Sequence, residues 1–211
     1  MAIQLKMQKT ERILFCASKW WGDPDMPENM QYPTIEVTDE DGEVIDYPLT
    51  FICQINCEDL VPYDIEGRLP HEGMLYFFGA VDGFAGYESM TDDGAGEWPK
   101  GRFAVKYAKS INFETFQSCM LVDDEDQSLT EPELEMLFSE CDDLAEGIKL
   151  LGKPCSEEVR KAYPEHINLL QLMSDEVAGL QFPEDSGISL TMSESDLKFG
   201  NWKRTKAYHF I

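Results

Sequence analysis

The feature that most constrains the fold is a pattern that occurs twice along the chain. Each copy has a Gly-x-Pro turn, an apolar segment carrying one glutamine, and a glycine that precedes another apolar segment. The parts are Gly22-x-Pro24, 51–55 and 73–76 in the first copy, and Gly152-x-Pro154, 169–172 and 187–190 in the second. Their unequal spacing is expected if insertions fall in surface loops. The pattern predicts one domain, 1–211, with an imperfect internal duplication whose halves, 11–110 and 148–211, are joined by an acidic helical segment, 111–147.

The glutamine in each copy has two interpretations. Gln54 and Gln171 either bond the backbone of a neighbouring loop, because a buried amide must be hydrogen-bonded, or face each other across a pseudo-symmetric pocket. His71 precedes an apolar segment and is either an ordinary surface residue or an acid–base group at a strand end. No catalytic residue is predicted. The candidate ligand-binding residues are Trp21, with its neighbour Trp20, and Gln54, His71, Glu72 and Gln171.

Local patterns predict many strands and few helices. Strands are predicted at 11–17, 48–56, 74–78, 102–108, 166–173 and 188–192, with a hairpin of 34–37 and 43–45 around an Asp-Gly turn. Helices are predicted at 131–146, where Thr130 is a suitable N-cap, and at 156–163 before Pro164. The glycine-rich segment 82–101 is predicted to be a long loop. Without regular strand–helix alternation, the chain is predicted to be α+β with a mostly antiparallel sheet.

Acidic residues are concentrated in two windows. The net charge is −24, and the windows 20–67 and 110–148 contain thirteen and twelve acids, respectively, without a lysine or arginine. Such surfaces repel phosphate, so neither nucleic acid nor an anionic membrane is expected to bind there. The run 123–126 is either a solvated acidic loop or a weak site for a hard cation, and a calcium loop at 37–48 is excluded because its end positions, Val37 and Pro48, lack carboxylates.

The C-terminal segment has the opposite charge. After Asp196 it contains Lys198, Lys203, Arg204 and Lys206 among aromatic residues, and no acid. Such a segment either holds single-stranded nucleic acid by stacking and phosphate contact or forms a terminal strand that packs on the domain itself. The second interpretation is preferred, so no nucleic-acid partner is predicted.

The remaining composition excludes several classes of protein. No apolar run is long enough to span a membrane, and the N-terminal residues lack the apolar core of a signal peptide, so a cytoplasmic protein is expected. Six cysteines without Cys-x-x-Cys pairs and three dispersed histidines indicate free thiols rather than a zinc site. Neither a cofactor motif nor a hydrolase motif is present.

Several stretches resemble the YwqG-like proteins, a bacterial family of unknown function. The resemblance rests on 18–27 (SKWWGDPDMP), 48–56 (PLTFICQIN), 69–78 (LPHEGMLYFF) and 150–154 (LLGKP), followed by 169–172 and 185–197. It covers most of the chain in the family's order. It implies the family's fold and carries over no catalytic residue.

Two functions remain open at this point. The first is a non-enzymatic acidic module, similar to an immunity protein or antitoxin, that binds a basic protein and is assisted by electrostatic steering. The alternative interpretation of the acidic charge is that it confers only solubility. The second function is an enzyme or small-ligand-binding protein with a pocket between the two halves.

Overall fold

The computed structural model describes residues 1–38, 42–86, 94–122 and 125–211. Strands account for 41% and helices for 11% of the structure, and the largest element is a sheet curled into a half-barrel. In chain order the strands are β1 Ala2–Gln8, β2 Lys19–Trp20, β3 Asp25–Pro27, β4 Thr34–Thr38, β5 Val44–Pro48, β6 Thr50–Asn56, β7 Met74–Gly79, β8 Gly96–Glu97, β9 Phe103–Ala108, β10 Phe116–Ser118, β11 Leu134–Cys141, β12 Lys149–Leu151, β13 His166–Met173, β14 Gly187–Ser193 and β15 Lys206–Phe210.

The prediction of an α+β fold was wrong, because the structure is nearly all β. Its helices within the described ranges are α1 Glu157–Ala162, α2 Glu194–Lys198 and the 3₁₀ turns Cys57–Leu60, Asp82–Ala85 and Trp202–Arg204. The two α-helices are too short to form a layer of their own.

The longer predicted helix, 131–146, is instead strand β11. The helix was predicted from an apolar face of Leu134, Leu137, Phe138 and Leu144. In the strand, Leu134 and Met136 are buried between less buried neighbours, whereas Leu137 and Leu144 are exposed. The sequence therefore fits both a helical face and an alternating strand, and periodicity alone does not separate the two. Tertiary pairing decides, because β11 lies between β1 and β2 and bonds to both.

Several other predicted elements are confirmed. The hairpin forms from β4 and β5, although its turn residues 39–41 lie outside the described ranges. Strand β13 has the predicted bounds, and α1 falls within the predicted helix 156–163.

The strand predicted at 11–17 was wrong, since that segment is a loop and the first strand is β1. The segment predicted as a long loop contains a 3₁₀ turn and β8, with 87–93 outside the described ranges.

The large sheet is built from two corresponding sets of strands. The N-terminal set is β1, β2, β6, β7 and β9, and the C-terminal set is β11 to β15. The strand order is β8-β15-β14-β13-β12-β1-β11-β2-β6-β7-β9, and every neighbouring pair is antiparallel. β1 and β11 pair at the centre, and each lies beside the second strand of the other set. The predicted halves begin after these two strands and therefore omit them.

The two sets also correspond in register. Lys19 pairs with Gln54 in the N-terminal set, and Lys149 pairs with Gln171 in the C-terminal set. The register shift of β6 against β7 between Phe51 and Cys53 has its counterpart in β13 against β14 between Asn168 and Leu170. The structure shows this correspondence, while duplication as its origin stays a prediction.

The Gly-x-Pro turns adopt one backbone conformation in both sets. Trp21 and Leu151 have φ values of 56° and 59°, and the glycines that follow, Gly22 and Gly152, have φ values of 74° and 70°. A Cβ atom at Gly22 would lie 2.9 Å from the Cβ of Glu133, and one at Gly152 would lie 2.8 Å from the Cβ of Ala2. Glycine is required at both turns because the conformation is left-handed and the strand opposite is close.

Alternate residues of β7 show where the core lies. All six of its residues are buried. Leu75 and Phe77 belong to the larger apolar cluster, which extends into the C-terminal set, whereas Tyr76 and Phe78 belong to a second cluster formed with residues near β3 and β10. Side chains alternate between the two faces of a strand, so both faces of the sheet are covered here.

Candidate functional site

The two acid-rich windows are brought together by the fold. β3, from the first window, pairs with β10, from the second. The amide of Gly22 donates to the carbonyl of Glu131, and the hydroxyl of Thr130 donates to the carboxylate of Asp23 over 3.2 Å. The described residues of segments 22–51 and 114–131 therefore form one surface, called here the acidic face.

A pocket of about 340 Å³ opens on the acidic face. Its walls combine aromatic rings with carboxylates, and its lining includes Trp21, Tyr32, Tyr47, Phe51, Asp82 and Glu131. Apart from Asp82, every lining residue comes from one of the two base-free windows. The volume is at the lower end of the range for ligand pockets, which suits a side chain or a small molecule.

Asp82 is the distinctive residue of this pocket. It is 7% exposed, and its carboxylate accepts hydrogen bonds from the hydroxyl groups of Tyr47, at 3.0 Å, and Thr50. No lysine, arginine or histidine in the described residues forms an ion pair with it. Burial and the charge of Asp82 raise the pKa of Tyr47 to about 12, so its hydroxyl remains a donor at neutral pH. A buried carboxylate without a cation is costly, and an entering cation would relieve that cost.

Hydrogen bonds from the indole groups fix the aromatic wall of this pocket. The indole nitrogens of Trp21 and Trp20 both donate to the carbonyl of Ala178, over 2.7 and 3.0 Å. The two rings contact edge to face with centroids 5.3 Å apart. Aromatic faces attract cations, so this wall and the carboxylate of Asp82 favour the same kind of group. Trp21 is thus the one candidate from the sequence that lines this pocket.

The structure does not bring the two candidate glutamines together. Four strands separate β6 from β13, so the strands that carry Gln54 and Gln171 lie about 24 Å apart across the sheet. Both side chains are fully buried. Neither residue lines the pocket on the acidic face.

Each glutamine holds the turn of its own set. The Oε1 atom of Gln54 accepts from the amide of Asp25, and its Nε2 atom donates to the carbonyl of Ala17. The Oε1 atom of Gln171 accepts from the amide of Cys155, and its Nε2 atom donates to the carbonyl of Gly147. These two bonds of each glutamine correspond between the sets, and they are those of a residue that anchors a loop.

A buried lysine lies beside each glutamine, and the group that this lysine contacts is the main chemical difference between the sets. Lys19 is 3% exposed and its ammonium lies 2.9 Å from the carboxylate of Asp25. In the C-terminal set, Cys155 occupies the place that Asp25 has in the N-terminal set. The ammonium of Lys149 instead donates to the carbonyls of Asp143 and Lys153, over 2.7 and 3.0 Å. Burial lowers the pKa of Lys149.

His71 and Glu72 lie in the loop before β7, away from the acidic face. The Nε2 atom of His71 is 3.4 Å from the carboxylate of Asp64, which is itself buried. The backbone carbonyl of Glu72 accepts from the hydroxyl of Tyr107. The bond from Tyr107 ties the loop to β9.

The cysteines and the possible metal ligands are the remaining groups that could carry chemistry. The six cysteines are free, and burial raises the pKa of Cys16 to about 11 and of Cys57 to about 12, so both thiols are protonated at neutral pH. In the part of the chain that the structure describes, no three metal-ligating side chains lie close enough to hold an ion. Residues 123 and 124 of the proposed cation loop lie outside that part. Among the described residues, no helix is long and apolar enough to cross a membrane.

Sequence reasoning missed Asp82, Tyr47 and Thr50. Asp82 stands in the segment predicted to be a loop, and its burial depends on strands far from it in sequence. Tyr47 and Thr50 are separated by Pro48 and Leu49 and follow no strict alternation, so the local sequence does not single them out.

The fold and the pocket define a nearly all-β protein with an acidic, aromatic-lined site at the meeting of two acid-rich segments. The chain belongs to the family of a domain of unknown function, DUF1963, whose model matches residues 18–150. The chain therefore contains an uncharacterised domain, and its resemblance to the YwqG-like proteins stays a prediction. No curated protein matches the chain.

Proposed function

We propose that this chain is a non-enzymatic, acidic protein-binding module, similar to an immunity protein or antitoxin, that binds a basic partner through the acidic face. The observation that carries the proposal is Asp82, a buried carboxylate without a cation among the described residues, in a pocket where the two base-free windows meet. A lysine or arginine side chain of the partner would enter this pocket and pair with that carboxylate. The six free cysteines fit the reducing cytoplasm, which is the location assumed here.

The surrounding charge supports a partner of opposite sign. Exposed acids such as Glu36 and Asp46 lie on the β4–β5 hairpin, beside the pocket. Complementary charge accelerates association, and its contribution falls as salt screens it. The pocket would provide the specific anchor, because a desolvated charge pair contributes more than exposed pairs at the rim.

The proposal predicts that Asp82→Asn weakens binding of a cationic side chain at least 10-fold. The probes are the capped peptides acetyl-Gly-Arg-Gly-amide and acetyl-Gly-Lys-Gly-amide, titrated by calorimetry at 50 and 300 mM NaCl. The replacement keeps the size of the side chain but removes the charge that would pair with the probe. Binding to the wild-type chain is expected to weaken at the higher salt concentration.

The matched control is Asp46→Asn, which removes the same charge from an exposed position outside the pocket. It is expected to change the dissociation constant less than 2-fold. Melting curves of both variants verify that they fold. Equal losses of affinity in the two variants would show that the peptides respond to the overall charge of the acidic face and not to the pocket. If neither peptide binds at 50 mM NaCl, the proposal is refuted, and the acidic charge serves solubility alone.

A further inference from the structure

A second candidate site lies between the two sets of strands, and it shares no lining residue with the pocket that contains Asp82. It consists of two adjoining grooves of about 910 and 710 Å³ that share Tyr107, Gly200 and Trp202 as a common wall. β9 and the loop at 66–70 contribute from the N-terminal set, and α2 with the turn Trp202–Arg204 contributes from the C-terminal set. The pair of grooves is called here the basic cleft.

The lining of the basic cleft reverses the charge of the molecule. Two acids line it, Glu66 and Glu194, against six cationic side chains: Arg68, Lys106, Lys109, Lys198, Lys203 and Arg204. The chain as a whole has a net charge of −24. A local excess of cations on so acidic a protein is a specific feature and not a consequence of composition.

Much of this positive charge is not neutralised by the protein. Arg68 pairs with Glu66, and Arg204 lies 3.5 Å from Asp196. Lys109, Lys198 and Lys203 are exposed and take part in no ion pair among the described residues.

Lys106 adds a cation that is tied to the backbone. Its ammonium donates to the carbonyl of Gln31 over 2.5 Å. Its pKa is lowered by burial and by the charge of Lys203, so these two like charges are held near each other. A bound anion would stabilise such a pair.

The common wall offers an aromatic surface beside these cations. The rings of Tyr107 and Trp202 have centroids 5.8 Å apart, and the hydroxyl of Tyr107 is fixed by the carbonyl of Glu72 over 2.8 Å. Phe199, 73% exposed, lines the larger groove. Rings of this kind stack on planar heterocycles, while the lysines and arginines bind phosphate.

We propose that the basic cleft binds a nucleotide, with its phosphates on the lysine and arginine side chains and its base against Trp202. The larger groove has the volume of a small-ligand pocket. A small ligand is favoured over a nucleic acid chain because a long polyanion would extend onto a surface dominated by carboxylates. This proposal does not depend on the function proposed for the pocket around Asp82.

Calorimetry with ADP, tripolyphosphate and the oligonucleotide dT10, without added metal, tests this proposal. ADP is expected to bind the wild-type chain more tightly than either of the others. The double variant Lys109→Gln/Lys203→Gln is expected to weaken ADP binding at least 10-fold. Trp202→Leu is expected to weaken ADP binding at least 5-fold while leaving tripolyphosphate within 2-fold. Lys9→Gln, at an exposed lysine outside the cleft, is expected to stay within 2-fold.

Three results would overturn the proposal. The first is the absence of heat with ADP at 1 mM. The second is tighter binding of dT10 than of ADP, which would assign the cleft to single-stranded nucleic acid. The third is ADP binding that is unchanged in the double variant or lost equally in Lys9→Gln, since the phosphates would then not lie in the cleft. Melting curves of each variant establish that it is folded before titration.

Discussion

Replacing Lys19 with methionine is expected to lower the free energy of unfolding by about 3–5 kcal/mol, because it leaves the carboxylate of Asp25 buried without its cation. The same replacement at Lys149 is expected to change it by no more than about 1 kcal/mol. Lys149 has no carboxylate partner in the described residues, and one of its two acceptors, the carbonyl of Asp143, also accepts from the amide of Lys153. Urea unfolding of the two variants measures the difference.

A double-mutant cycle and a pH series refine this comparison. Lys19→Met combined with Asp25→Asn is expected to recover part of the loss, because both charges of this buried pair are then removed and only the part-exposed Glu133, 3.2 Å from Lys19, still lacks its cation. The folded-state pKa of Lys149 is lowered by burial, so the stability of the wild-type chain relative to Lys149→Met is expected to rise as pH increases toward the unfolded lysine value near 10.5. Equal losses from Lys19→Met and Lys149→Met would show that the ion pair with Asp25 is not what distinguishes the two sites.

Gln54→Ala and Gln171→Ala are each expected to lower the free energy of unfolding by about 3 kcal/mol, through lost hydrogen bonds and a cavity. Each change leaves a backbone amide without its acceptor, the buried amide of Asp25 or the part-buried amide of Cys155. The two losses should be similar, because the bonds correspond. Chemical denaturation followed by tryptophan fluorescence measures both.

The controls for the glutamines separate hydrogen bonding from packing. Gln54→Met fills the space without bonding and is expected to recover only part of the loss. Gln117→Ala, on an exposed position of β10, is expected to stay within about 0.5 kcal/mol of wild type. If Gln171→Ala were as stable as wild type, the anchoring of its turn would not be a source of stability.

The sequence predicts strands well where an apolar run is covered on both faces. β7 and β13 are such runs, and both were identified. β1 was missed even though Ile3, Leu5 and Met7 alternate with polar residues. Its polar alternation is that of a strand, but its role at the centre of the sheet depends on partners more than a hundred residues away. Local patterns do not contain that information.

The candidate sites were predictable only in part. Trp21 lies in the acidic pocket, and the base-free windows point to the surface around it. Asp82 was not predictable, because its burial arises from β5 and β6 folding over it. The basic C-terminal segment was correctly singled out as unusual, but Lys106 and Lys109, which lie opposite it, come from β9 and its end. Juxtaposition across a curled sheet is a property of the fold.

The exchange of β1 and β11 between the two sets has a consequence for how the chain folds. Ala2 pairs with Leu151, and Trp20 pairs with Leu134, so neither set completes its own sheet. During synthesis β1 precedes its partners β11 and β12 by more than a hundred residues. Until β11 is synthesised, the edge of β2 lacks its partner and is exposed to other chains. Contacts of such long sequence separation slow folding, and they make the whole chain, rather than either half, the cooperative unit.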